Sequence, residues 1–103
     1  MAQNKALAGL KPMHPGELLR EDVIPSLNKS KSEIATLLGV SRQTLHDILS
    51  EKQPITPGMA LRFGKLLGNG PEIWINMQRA FDLHQAEAAL AKELKKIPTL
   101  AVA

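Results

Sequence analysis

Residues 33–50 read EIATLLGVSRQTLHDILS. Two short helices joined by a tight turn account for the pattern. Ala35, Gly39, Leu45 and Ile48 fall at the offsets such a pair requires. Ala35 is small where the second helix must cross closely. Gly39 suits a turn position with positive φ. Leu45 and Ile48, three apart, give the second helix one apolar stripe toward the core, and Ile34, Leu38 and Val40 supply the remaining contact. The opposite face carries Arg42, Gln43, His46 and Asp47. A hydrogen-bonding face on a helix held by its other side suits the major groove of DNA. An ordinary helical hairpin shares the stripe, but not the two caps and the glycine turn together.

The flanking sequence extends the same logic. Ser30-x-x-Glu33 predicts a capping box at the start of the first motif helix, and Ser41 predicts the cap of the second, which is expected to run to about Glu51. Upstream, His14-Pro15-Gly16-Glu17 opens a helix with proline at an early position and His14 as its cap. Leu18, Leu19 and Val23 are expected to face inward, and Pro25 to end or bend that helix. Downstream, Thr56-Pro57 opens a fourth helix with Ala60, Leu61, Phe63, Leu66 and Leu67 on its buried side and Gly68 at its close. Gly70-Pro71 starts a fifth, with Ile73, Trp74, Met77 and Phe81 at helical spacing, continuing through Leu83, Ala86, Leu90 and Leu94 to Pro98. No strand alternation and no Asn-Gly or Asp-Gly hairpin signal is present, so an all-α, five-helix domain is predicted. Its expected division is a flexible arm over 1–12, the helix-turn-helix domain over 13–84, and a helical extension with a frayed tail over 85–103.

The chain has 103 residues, enough for one domain, and 44% of them are hydrophobic. It has no cysteine, which excludes disulfides, thiolate metal sites and thiol nucleophiles. No run reaches the roughly 18 apolar residues of a membrane span, and the N-terminus lacks a signal-peptide core, so a cytoplasmic location is the default expectation. The net charge of +3 permits nucleic-acid binding.

The segments MHPGELLRED (13–22), IATLLGVSRQTLHDIL (34–49), ITPGMALRFGKLLG (55–68) and PEIWINMQRAFDL (71–83) resemble the lambda-repressor-like (XRE) helix-turn-helix family, and within it the HigA antitoxins. The resemblance covers residues 13–84. Its opening H-P-G-E-x-L and closing P-E-x-W-x-N-x-Q are more specific than the motif between them. It implies a five-helix lambda-repressor-like DNA-binding domain. It also implies a partner: a small toxin similar to the RelE family of ribosome-dependent mRNA ribonucleases, which the antitoxin neutralises while repressing the shared operon.

Within that frame the second motif helix is expected to enter the major groove N-terminal end first. Arg42 is suited to guanine O6 and N7, Gln43 to adenine N6 and N7, Thr44 to a base edge or thymine methyl, and Asp47 to a cytosine amino group, with His46 beside them. Ser30, Ser41, Lys31 and Lys52 are candidate phosphate contacts. From Ser26 to Thr56, four basic residues (Lys29, Lys31, Arg42, Lys52) face three acidic ones (Glu33, Asp47, Glu51), a weak electrostatic footprint for one copy. A two-fold homodimer on a palindromic operator, with half-sites ~34 Å apart, doubles the contacts. Trp74, Met77, Phe81 and Leu83 form the candidate dimer ridge; closing the monomer core is the competing role for the same residues. No cofactor is expected, since a Trp-Met-Phe stripe is core before it is a cofactor box. The toxin contact falls to residues 1–12 or to the segment from Leu83 onward.

Catalysis is not expected. His14, His46 and His84 form no metal motif, and Ser41, His46 and Asp47 do not share a helix face. Two other readings stay open: a stand-alone XRE-type repressor without a toxin, and an interaction module that has lost DNA binding.

Overall fold

The computed structural model describes residues 11–101 of the chain. The arm expected over 1–12 lies outside the described residues apart from Lys11 and Pro12. The first helix, α1, runs over residues 15–26 in three parts: α-helical Pro15–Leu18, a π-helical turn Leu19–Val23, and α-helical Ile24–Ser26. Pro25 explains the wide turn. It has no N–H to offer the Glu21 carbonyl, and the preceding Ile24 N–H reaches back five residues to the Leu19 carbonyl. Pro25 therefore bends the helix without ending it at once.

The expected capping box opens α2 (Lys31–Leu38): the Glu33 N–H donates to Ser30 Oγ at 3.1 Å and the Ser30 N–H to Glu33 Oε1 at 3.0 Å. Gly39 closes it at φ 74°, and the Val40 N–H donates to the Ala35 carbonyl at 3.0 Å, satisfying the helix end. Helix α3 (Arg42–Leu49) follows from the Ser41 cap, and α4 (Pro57–Leu67) from the Thr56 cap and Pro57. The expected fifth helix is divided: α5 (Glu72–Ala89) and α6 (Ala91–Lys95) meet at Leu90, so the described residues hold six helices and no strand.

The core gathers Leu19, Ile34, Ala35, Leu38, Leu45, Ile48, Leu49, Ile55, Ala60, Phe63 and Trp74. Three sequence expectations change here. Leu61 is 60% exposed, because α4 turns Met59, Ala60, Phe63 and Gly64 inward. Ile73 is 44% exposed, because α5 turns Trp74 and Gln78, one turn apart, toward the core. Trp74 itself, placed on the dimer ridge by its spacing, is 1% exposed. Its ring packs against Phe63 at 6.1 Å between centroids, and its Nε1–H donates to Asn69 Oδ1 at 3.3 Å. It belongs to the protomer core rather than to an exposed ridge. Gln78 is buried with it, accepting the Ile55 N–H at 2.7 Å and donating to Asp82 at 3.0 Å.

His14 caps α1 as expected, accepting the Gly16 N–H on Nδ1 at 2.9 Å, and lies edge-on to Phe81 at 5.0 Å. Burial pushes its pKa below the ordinary 6.5, against the opposing pull of Glu51 and Asp82. The native state therefore holds a neutral imidazole that the unfolded chain protonates more readily. The stability this contributes is complete above pH 6.5 and is lost as pH falls from there through the lower native pKa. Urea midpoints for wild type should fall between pH 7.5 and pH 5. A His14→Asn variant, which keeps a capping acceptor without titrating, should show a flatter pH dependence over the same range.

Beyond Phe81 the chain leaves the core. Residues 82–101 are exposed throughout, and the molecule measures 52 × 32 × 27 Å. No helix is long and apolar enough to cross a membrane among the described residues.

Candidate nucleic-acid interface

Helix α3 is short and strongly two-sided. Leu45, Ile48 and Leu49 are buried, while Arg42, Gln43 and His46 are exposed and flank one shallow recess. Ser41 caps the exposed end: its Oγ accepts the Thr44 N–H at 3.0 Å, and its hydroxyl donates to Thr44 Oγ1 at 2.9 Å. Thr44 is half-buried and keeps its own hydroxyl proton for another acceptor. Gln43 Nε2 donates to Asp47 Oδ1 at 2.8 Å, so Asp47 is turned along the helix toward Gln43. The structure thus brings Ser41, Arg42, Gln43, Thr44, His46 and Asp47 together on one helix.

The phosphate candidates lie on neighbouring parts of the motif. Ser30 and Lys31 open α2, and Lys52 lies in the turn after α3, its N–H donating to the Asp47 carbonyl at 2.9 Å. The capping box already uses the Ser30 N–H, leaving only its hydroxyl proton to donate.

Three features that hold α3 in place were not singled out from the sequence. Arg20 donates to the Leu49 carbonyl at 2.7 Å and pairs with Glu51 at 3.2 Å, tying α1 to the C-terminal end of α3. Arg62 donates to the Leu38 carbonyl at 2.7 Å and ties α4 to the turn. Both guanidinium groups satisfy carbonyls at helix C-termini, where a cation also complements the helix dipole. Gly16 sits directly against α3: a Cβ there would stand 2.1 Å from the Ile48 carbonyl oxygen. Arginine five residues into a helix, as at Arg20 and Arg62, or glycine inside a helix, carries no such signal in sequence alone.

Each of the three acidic residues has an internal partner, but only Glu51 is paired with a cation. Glu33 is held in the capping box, Asp47 by Gln43 and Glu51 by Arg20. Among the described residues the ion pairs are Arg20 with Glu21 and with Glu51, so Lys29, Lys31, Arg42 and Lys52 enter none.

A helix-turn-helix family model matches residues 19–75, which takes in α1 from Leu19 on, α2 to α4 and the start of α5. The chain belongs to the helix-turn-helix family. Its members are regulators rather than enzymes. Virulence-associated protein I of Dichelobacter nodosus is 39% identical over 75 residues, 73% of this chain and 69% of that one. Antitoxin GraA in complex with its operator superposes with a TM-score of 0.82 at 39% identity, covering 92% of this chain and 96% of GraA. Antitoxin HigA of Pseudomonas aeruginosa with the higBA promoter superposes at 0.80 with 32% identity, covering 88% and 99%. The helix-turn-helix chain is thus similar over nearly its whole length to antitoxins solved on DNA.

Proposed function

We propose that this chain is a sequence-specific DNA-binding autorepressor and the antitoxin of a two-protein module. The observation that carries the reading is the exposed, hydrogen-bonding face of α3 on a helix whose other side is fully buried. The similarity to antitoxins solved with operator DNA supports it. Arg42 reads guanine O6 and N7, Gln43 reads adenine, and Thr44 meets a base edge or a thymine methyl, with His46 at the margin. Ser41, the Ser30 hydroxyl, Lys31 and Lys52 hold phosphates and set the register.

Residues 13–84 form the reading domain and 85–103 the extension. A homodimer places two α3 helices on a palindrome, with half-sites ~34 Å apart. The exposed apolar residues Leu83, Leu90 and Leu94, beyond the point where the chain leaves the core, support a protein contact there. The chain's second activity is to neutralise a small RelE-like mRNA ribonuclease.

Arg42→Ala and Gln43→Ala each test the reading face. Each should weaken specific binding by about 1–3 kcal/mol and leave binding to random-sequence DNA nearly unchanged. Equal operator affinity in wild type and both variants would remove α3 from the interface. Co-expression with the adjacent small open reading frame tests the antitoxin half. A stoichiometric partner, toxic when expressed alone, supports it. A clean homodimer without a toxic neighbour supports a stand-alone repressor instead.

A further inference from the structure

The side chains that offer hydrogen bonds on α3 are not equivalent. Asp47 is half-buried and sits where its helix is anchored, its backbone carbonyl accepting both the Lys52 N–H at 2.9 Å and the Gln53 N–H at 3.1 Å. Gln43, one turn earlier, is exposed and bound to Asp47 by a single hydrogen bond of 2.8 Å. A carboxylate only accepts, so it admits one orientation of the Gln43 amide, with NH2 toward Asp47. The amide oxygen and the second N–H then point outward. That pair, one acceptor and one donor, matches adenine N6–H and N7 in the major groove. The flipped amide would turn its whole NH2 outward and donate equally well to guanine O6 and N7.

We propose that Asp47 is a specificity-determining positioning residue: it orients the Gln43 amide for adenine and does not itself read a base. The inference rests on α3 being the reading helix. It replaces a direct cytosine contact by Asp47 with an indirect role through its neighbour, and it assigns the adenine preference to a pair rather than to Gln43 alone.

Asp47→Asn is the test, because it keeps the shape of the side chain and removes only the restriction. Asparagine can accept or donate, so either Gln43 orientation finds a partner. An operator selected from random DNA by the wild-type full-length protein is varied through all four bases at each position. Affinities are measured for wild type, Asp47→Asn, Gln43→Ala and the double variant. Wild type should prefer adenine over guanine at one position per half-site. Asp47→Asn should reduce that preference roughly tenfold and leave other positions unaltered, the scale of one bidentate base contact. Gln43→Ala should abolish the preference, and adding Asp47→Asn to it should change nothing further. An intact adenine preference in Asp47→Asn overturns the proposal. So does a new loss of cytosine discrimination when Asp47→Asn is made in the Gln43→Ala background, since Asp47 would then touch a base itself. If Arg42→Ala and Gln43→Ala both bind the selected operator like wild type, the reading helix is wrong, and that failure is distinguishable from the other two.

Discussion

Trp74→Ala should destabilise the fold by about 3–5 kcal/mol, the range for truncating a large buried aromatic. The indole is 1% exposed, packs on Phe63, and uses its Nε1–H on Asn69. Cavity formation therefore adds to the lost burial. In a domain whose whole stability is about 5–15 kcal/mol, this removes a large part of it. The thermal midpoint should fall by roughly 12–40 °C, taking about 4–8 °C per kcal/mol. The milder Trp74→Phe should stay folded and keep the wild-type association state in sedimentation. A folded Trp74→Phe that dissociates to monomers would return Trp74 to the dimer ridge.

Gly16→Ala should have the second-largest effect on the fold and a further effect on DNA binding. The new methyl group would overlap the Ile48 carbonyl oxygen and press on His14 Nδ1, 3.0 Å from the Cβ position. The oxygen belongs to helical backbone and cannot swing aside. The start of α1 must move away from α3, at about 1–3 kcal/mol for such overpacking, partly offset by roughly 1 kcal/mol of better helix propensity. Because α1 backs α3, the proposed reading helix, operator affinity measured well below the unfolding midpoint should also drop. A variant with unchanged stability and unchanged operator affinity would mean that this close approach is not needed.

Caps were legible because they are local: Ser30, Ser41 and Thr56 need only a hydroxyl and an N–H two or three residues on. Gly39 was legible because its positive φ is a property of the residue. The inward arc of α5 was not, because Ile73, Trp74 and Met77 all satisfy a loose helical period. Only the position of Phe63, Asn69 and Ile55 decides that Trp74 and Gln78 face inward.

Buried Gln78 and His14 escaped the apolar pattern because each is satisfied by hydrogen bonds rather than by hydrophobicity. The break at Leu90 carries neither glycine nor proline, so residue type gave no notice of it. At the site, sequence placed Arg42, Gln43, His46 and Asp47 on one helix. It did not show that Gln43 and Asp47 hold each other, or that Arg20 and Arg62 fasten the motif from helices α1 and α4. The two arginine contacts join residues 24 and 29 positions apart, where no local pattern reports them.

The central claim is that α3 reads the major groove of a palindromic operator. Methylation interference at guanine N7, a major-groove atom, tests it most directly, using DNA selected by the wild-type protein. Strong interference is expected at two symmetric guanines about ten base pairs apart. Replacing Arg42 by alanine should abolish the signal at both while leaving some binding. Interference that is absent, or that persists undiminished with Arg42, Gln43 and Thr44 all replaced by alanine, would contradict it.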